Sequence, residues 1–361
     1  MEKARISSTQ LFLLLSGFLF GSTVILAPAR GAKNDAWLAM LLGGAGGVLL
    51  MWIYTAIALL NPSKTLVDIL KEKLGKVAGN ILAVLYTWYF IHLASLVLRD
   101  FGEFICTVTF PETPMAVVIG LFALIMVYAI NSGIEVIGRL SELLVPVIPL
   151  IASIISLSLI TVYDFTAFLP ILENGIKPVL NTAFNFITFP FGETVAFLML
   201  FPHVNKKEKL KKVVLVSAAV STFLGIILFF RDIFVLGSDL LARSSFIPHL
   251  TSLLIPGLNV EPLVDINLLV GGWVKISVCI YAAAKALSQI AGIDDYRTLT
   301  GAISTFCVVL SIWEYENVLE MFNWTEKVWP YYSILFQIIV PLLLLLFSIK
   351  KGKPSNAGAE N

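Results

Sequence analysis

Charge is what this sequence has least of. Asp, Glu, Lys and Arg make up 14% of its 361 residues and hydrophobic residues 58%, against roughly 25% and 45–50% in soluble domains. Lipid, not water, is the expected solvent for most of the chain. No polar stretch is long enough for a separate soluble domain, so one membrane domain over residues 1–350 is expected, in halves of about 1–163 and 164–350. The polar tail 351–361 is expected to be disordered on the cytoplasmic side. A net charge of +1 with no basic arm excludes a nucleic-acid partner. Cysteine is scarce as well: Cys106, Cys279 and Cys307 form an odd set without CxxC spacing, so no disulfide framework or metal site is expected. HExxH, GxSxG and phosphate-loop motifs are missing, as are paired intramembrane aspartates, so neither an enzyme nor a cofactor is expected.

What is present is a series of apolar runs, each near the roughly 20 residues that cross a bilayer. They predict an all-α integral membrane protein of about ten transmembrane helices. The spans read as 8–28, 37–60, 79–105, 114–131, 141–162, 180–202, 212–235, 264–292, 297–313 and 329–349. Lys3, Arg5 and Ala27-Pro28-Ala29 imitate a cleavable signal, but the spans that follow favour an uncleaved first helix. With the N-terminus inside, sixteen of the 25 Lys and Arg fall on the inner side, six on the outer side and three within spans. The positive-inside rule then predicts a multi-pass inner-membrane protein with both termini cytoplasmic. Glu314, Glu316, Glu320 and Glu326, ringed by Trp313, Trp324, Trp329, Tyr331 and Tyr332, read as an interfacial anchor on the outer side. Residues 238–263, partly amphipathic, are expected to lie along the outer face as a lid or brace.

Two spans carry interruptions. Span one has Gly17 and then Phe20-Gly21-Ser22-Thr23 in mid-membrane, where nearby hydroxyls can replace lost backbone partners. Span six has Phe189-Pro190-Phe191-Gly192-Glu193, where proline removes a backbone donor and Gly192 permits unwinding. Gly21 and Gly192 lie at corresponding places in two five-span halves. An odd number of spans per half makes the second copy enter from the opposite side, giving a 5+5 inverted repeat. The breaks then meet near the midplane, where half-helix N-termini suit a carboxylate and freed carbonyls suit an ammonium group. A zwitterionic amino acid fits both. The plainer alternative makes Gly17 and Gly21 packing residues and Pro190 a kink. Gly43, Gly44, Gly46 and Gly47, with Ala282, Ala283, Ala284 and Ala286, read as packing surfaces. Gly21→Leu is expected to fill the proposed cavity while leaving folding intact.

Glu193 at membrane depth is expected to be neutral or paired. It could bind a ligand amine, carry a proton, or cap the amides opened by Pro190 and Gly192. Lys275 could replace a bound sodium ion or titrate, against snorkelling or pairing; Lys285 can reach the inner interface. His92, Ser95, Arg99 and Glu103 share one face of span three, with an Arg99–Glu103 ion pair expected in a polar seam or along an access path. Glu193, Lys275 and Arg99 are the candidates for a proton or charge role.

Several ordered segments give the chain a likeness to a known family: Ile6-Ser7-Ser8-Thr9-Gln10-Leu11-Phe12, Leu96-Val97-Leu98-Arg99-Asp100-Phe101-Gly102-Glu103-Phe104, Pro111-Glu112-Thr113-Pro114, Ile134-Glu135-Val136 with Arg139, the run from Leu169 to Pro178, and Phe189-Pro190-Phe191-Gly192-Glu193. It resembles the B-subunit permeases of bacterial spore nutrient-germinant receptors, in the amino acid-polyamine-organocation superfamily. The resemblance covers nearly the whole chain. It implies a LeuT-type amino-acid permease fold and a role in detecting a small nutrient, an amino acid in the first place, at the spore inner membrane. It also implies a membrane A subunit and a C-subunit lipoprotein as partners. Ligand contacts would fall at Gly21, Ser22 and Thr23, at Leu93, at Phe191, Gly192 and Glu193, and at Ile280 and Ala284. Superfamily transporters often have Gly-x-Gly in the first break; Gly21-Ser22-Thr23 here implies a less open backbone. A proton-coupled amino-acid transporter and a structural subunit without its own ligand are the alternatives.

Overall fold

The structure is a computed structural model and describes residues 5–21, 23–26, 29–257 and 260–351. Ser22 and the tail from Gly352, both singled out above, lie outside the described residues. The described residues are helical, apart from loops and one isolated bridge between Ile6 and Val204. The helices used below are α1 (Ser8–Phe20), α2 (Thr23–Leu26), α3 (Ala36–Leu60), α4 (Leu66–Leu74), α5 (Lys76–Phe104), α6 (Met115–Asn131), α7 (Ile134–Leu144), α8 (Val147–Ser158), α9 (Ile176–Phe186), α10 (Leu210–Arg243), α11 (Ile247–Leu253), α12 (Glu261–Ala291), α13 (Arg297–Trp313), α14 (Val318–Lys327), α15 (Trp329–Ile334) and α16 (Val340–Lys351).

Six helical stretches among the described residues are long and apolar enough to cross a bilayer, and a seventh results if α13 and α14, bent by 103°, form one broken span. α1 and α6 are shorter apolar helices, and the segment 176–203 is divided by its interruption. The apolar runs of the sequence are thus helical over most of their described residues, several of them in pieces too short to count as spans alone. α12 and α5 are the most buried of the long helices and pack on one another, with α1 against α12. α10 and the α7–α8 stretch are the least buried and present most of their apolar surface outward, as lipid-facing helices do.

Local sequence explains the ends. Ser7 and Gln10 form a capping box that starts α1: Gln10 N donates to Ser7 Oγ at 3.1 Å and Ser7 N to Gln10 Oε1 at 2.9 Å. α1 stops at Gly21, and Thr23 Oγ1 donates to Leu19 O and Phe20 O at 3.2 and 2.9 Å, so a hydroxyl meets carbonyls at the first break as the sequence suggested. In the second, a π turn over 187–191 holds Phe189 extended (φ −133°, ψ 110°) and is followed by a 3₁₀ stretch, Gly192–Met199. The α3 glycines are packing surfaces: a Cβ on Gly43 would press on Phe186, on Gly44 on Thr222, on Gly46 on Ile187 and on Gly47 on Phe191.

Three expectations need correction. Span five begins at Ile134, not 141, because Gly133 (φ 100°) reverses the chain directly after α6, and the charged residues of α7 had masked the helix. The brace expected over 238–263 is short: Gly237 (φ 71°) breaks α10, and only α11 is helical beyond Arg243, its Ile247, Thr251 and Ser252 buried against neighbours. Arg231, placed outside by charge counting, is buried in α10, where it pairs with Asp232 at 2.6 Å.

Each end of the first interrupted span is tied down. Ile6 N donates to His203 O at 2.8 Å and Asn205 N to Ile6 O at 3.0 Å, joining the start of α1 to the end of the second interrupted segment. At the other end Arg30 pairs with Glu326 at 2.6 Å and lies over the Phe322 ring at 4.1 Å.

Candidate functional site

The two breaks bring a buried ion pair between them. Lys275 of α12 and Glu193, in the first turn after the second break, approach to 2.5 Å (Nζ to Oε2), with side chains 0% and 1% exposed. Apart from each other, neither atom has a hydrogen-bond partner among the described residues. The ammonium also faces the Phe189 ring at 4.5 Å and the Phe18 ring at 5.5 Å, a cation–π arrangement that partly offsets its lost hydration. Small residues permit this. A Cβ on Gly21 would stand 2.8 Å from Lys275 Cδ and 3.1 Å from Gly271 O, so α1 and α12 close to a separation that only glycine allows. Pairing replaces both the snorkelling considered for Lys275 and the capping role considered for Glu193, since no side chain caps the 192–199 stretch.

Glu193 and Lys275 line a narrow pocket of about 20 Å³. Its walls are Leu26, Leu93, Leu96, Val97 and Asp100 on one side and the rings of Phe189, Tyr315, Trp324 and Trp329 on the other. Of the predicted contacts, Leu93 and Glu193 line it, and Gly21 underlies Lys275. Thr23 and Phe191 line a second, larger cavity behind the breaks instead. Gly192 packs on Gln337, whose amide a Cβ there would overlap. Ile280 and Ala284 are wholly buried in α12 and line neither cavity; from this helix Lys275 lines the pocket. Arg99 is committed elsewhere: its guanidinium bonds Glu103 at 2.6 and 2.9 Å and the carbonyls of Ser311 and Ile312 at 3.0 and 3.1 Å. The expected ion pair is present and serves to tie α5 to the end of α13.

The aromatic–acidic stretch is divided between two roles. Trp313 and Tyr331 point outward, 83% and 70% exposed, as an interfacial belt requires. Trp329 turns inward to the pocket, and Glu314 is buried against α5, accepting from Ser95 Oγ at 2.5 Å and lying 3.6 Å from His92 Nε2. Reading the whole stretch as an anchor missed this, because the 103° bend after α13 folds it back over the bundle.

A set of residues without any sequence motif supports the second break. Tyr54 Oη sits between Gly192 O (3.0 Å) and Gln337 O (2.7 Å), Gln337 Nε2 donates to Tyr89 Oη at 2.8 Å, and Tyr86 Oη to Phe336 O at 2.6 Å. Gln337 belongs to a π turn, Leu335–Ile339, that packs on the Gly192–Met199 stretch after the second break. Irregular turns free carbonyls at membrane depth, and these hydroxyls satisfy them. Tyr54→Phe is expected to leave two buried carbonyls without that donor and to lower stability by about 1–3 kcal/mol, measured by thermal unfolding in detergent. A midpoint equal to wild type would remove Tyr54 from this role.

Comparison with known proteins agrees with this architecture. The family model described as "Spore germination protein" matches residues 5–318. Spore germination protein KB of Bacillus subtilis (strain 168) is 34% identical over 374 residues, covering 100% of this chain and 99% of the relative. Spore germination protein B2 of the same organism is 24% identical over 221 residues, 60% of each chain. Among solved structures, the L-phenylalanine complex of MhsT aligns over 98% of this chain and 100% of its own, with a TM-score of 0.65 and 14% identity. The nucleobase-cation-symport-1 transporter Mhp1 aligns over 95% and 78%, with a TM-score of 0.66 and 13% identity. Such identities speak for the fold alone, an all-α, LeuT-type arrangement built on two interrupted helices. By its family match and its full-length likeness, the chain belongs to the spore germination permease family of germinant-receptor B subunits.

Proposed function

We propose that this multi-pass membrane protein is the nutrient-binding subunit of a germinant receptor and that an amino acid binds between Glu193 and Lys275. The observation that carries the reading is the buried pair itself, dry, at the junction of both breaks, and with hydrogen-bonding capacity left over on each partner among the described residues. An ammonium has three donors and a carboxylate about four acceptor sites. A zwitterion can therefore enter as a third and fourth charge, its carboxylate on Lys275 and its ammonium on Glu193. A ligand with one charged group would add an unbalanced charge beside the pair, which is costly in a low dielectric. Leu93, Val97, Phe189 and Trp329 offer apolar walls to the side chain. No covalent chemistry is involved.

Binding would favour one arrangement of the broken helices over another, and the A subunit and C-subunit lipoprotein would sense the shift. The chain would lie in the spore inner membrane with its termini on the core side. A thermal-stability screen of purified protein against amino acids, sugars and nucleosides tests this. A ligand at a hundredfold its Kd adds about 2.7 kcal/mol, and an amino acid is expected to be the class that does so; stabilisation by sugars or nucleosides alone would overturn the assignment, and a shift by no nutrient would favour a structural subunit. In proteoliposomes, accumulation of the labelled amino acid under a pH gradient would favour a proton-coupled transporter, with Glu193 or Lys275 as the proton carrier.

A further inference from the structure

Behind the two breaks, on the far side from the ion pair, lies a cavity of about 110 Å³. Phe20, Thr23, Pro190 and Phe191 form one wall, α8 and α10 the opposite one. Its lining is almost wholly aliphatic and aromatic, with polar groups gathered at the end where Arg30, Arg231, Asp232 and Asn267 stand. Two polar atoms within it, Ser221 Oγ and Asn267 Oδ1, are buried on residues 7% exposed and have no hydrogen-bond partner among the described residues. A native interior rarely leaves such atoms unmet, and a hollow this apolar is a poor container for water.

The cavity does not end at the protein core. A hollow of about 270 Å³ shares Phe20, Ile148, Ala152 and Leu228 with it and is bordered by Leu157 and Ile227. A third, of about 530 Å³, shares Arg231 with the cavity and Leu157 and Ile227 with the second hollow. Leu157 is 69% and Ile227 41% exposed, on the two least buried of the long apolar helices. The passage between α8 and α10 therefore leads to the surface that meets lipid tails. An aqueous solute would find no route of matching polarity there, while an acyl chain would.

We propose that this cavity is a lateral site for a bilayer phospholipid, one acyl chain passing between α8 and α10 to lie against the backs of both broken helices. The polar end of the cavity receives the ester and phosphate region, where the amide N–H of Asn267 and the guanidinium N–H groups that Arg30 and Arg231 do not give to Glu326 and Asp232 can donate hydrogen bonds. The site stands independently of what binds at Glu193 and Lys275. Because Phe20 and Phe191 belong both to its wall and to the breaks, any preference of the lipid for one arrangement of the broken helices becomes a coupling to the pocket on their other side, reciprocal by linkage.

The test uses the purified full-length chain in nanodiscs containing a phospholipid with a diazirine on its acyl chain, with adducts mapped by proteolysis and mass spectrometry. Met40 and Phe191 line the cavity and are 6% and 1% exposed, out of reach of bulk lipid, so adducts on them report occupancy. Labelling at Met40 or Phe191 is expected in addition to surface labelling at Leu157 and Ile227. Ala152→Phe, which narrows the passage, and Gly225→Leu, whose Cβ meets only the tip of Met40, are each expected to lose the deep adducts and keep the surface ones. Surface adducts alone in the wild-type protein would overturn the proposal whatever the variants do. So would deep adducts that persist in both variants, or deep labelling by a small water-soluble diazirine in place of the lipid.

Discussion

Lys275→Met is expected to destabilise the protein by about 3–5 kcal/mol and to abolish its response to nutrient, and Glu193→Gln placed on top of it is expected to return most of the stability and none of the response. The stability half follows from the dryness of the pair. Both side chains are essentially unexposed and 2.5 Å apart, so removing one charge strands the other where neither water nor a second partner reaches it. Replacing both by neutral groups of similar volume removes the uncompensated charge, and such replacements are often neutral. The response half follows from the proposed ligand chemistry, because the double variant offers a zwitterion no charge of either sign. Unfolding in detergent for the two single variants and the double variant gives the coupling energy directly. A purely structural pair would give the same stability pattern with germination restored in the double variant.

Gly21→Leu is expected to lose most of the folded protein, which reverses the expectation drawn from the sequence alone. There Gly21 was the rim of an open cavity, and a larger side chain was to block ligand without affecting the fold. In the structure the space is already filled: a Cβ would sit 2.9 Å from Lys275 Cβ and 3.1 Å from Gly271 O. Backbone on one side and a paired lysine stem on the other leave little room to yield, and overpacking of this kind costs about 1–3 kcal/mol or more. Gly271→Leu presses on Gly21 from the opposite helix and is expected to behave alike. Gly272→Leu, whose Cβ meets nothing within 4 Å, serves as the neutral comparison. Folded yield by size-exclusion chromatography separates them; equal yields for the leucine variants at 21 and 272 would show that the contact between α1 and α12 is looser than described.

The fold was largely legible because bilayers impose simple rules. Long apolar runs become helices, and Pro190 with Gly192 or Gly21 with Thr23 cannot continue one undisturbed. The likeness of ordered segments then supplied the family, which the full-length relative bears out. The site was legible in part. Glu193 and Lys275 stood out as intramembrane charges, but nothing in their spacing said that they meet, because they are 82 positions apart with α10 and α11 between them, and only the closeness of Gly21 to Gly271 brings them into register. Tyr54, Tyr89 and Gln337 carried no signal beyond being polar in apolar runs, and their role exists only because the π turn 335–339 packs against the 192–199 stretch. Thr23 and Phe191 were grouped with the pocket since they flank the breaks, yet an interrupted helix has two sides, and these residues face the cavity behind it. Glu314 was assigned to the interface by its aromatic neighbours; a 103° bend that hydropathy does not encode turns it inward.

The central claim is that a zwitterion occupies the space between Glu193 and Lys275, and equilibrium binding of a labelled amino acid that stabilises the purified protein tests it most directly. The labelled amino acid is competed with its decarboxylated and its deaminated analogues, in the wild-type protein and in the folded Glu193→Gln, Lys275→Met double variant. Saturable binding to wild type, weak competition by either analogue and no binding to the double variant are predicted. Undiminished binding to the double variant, or equal competition by an analogue with one charge, would contradict the account.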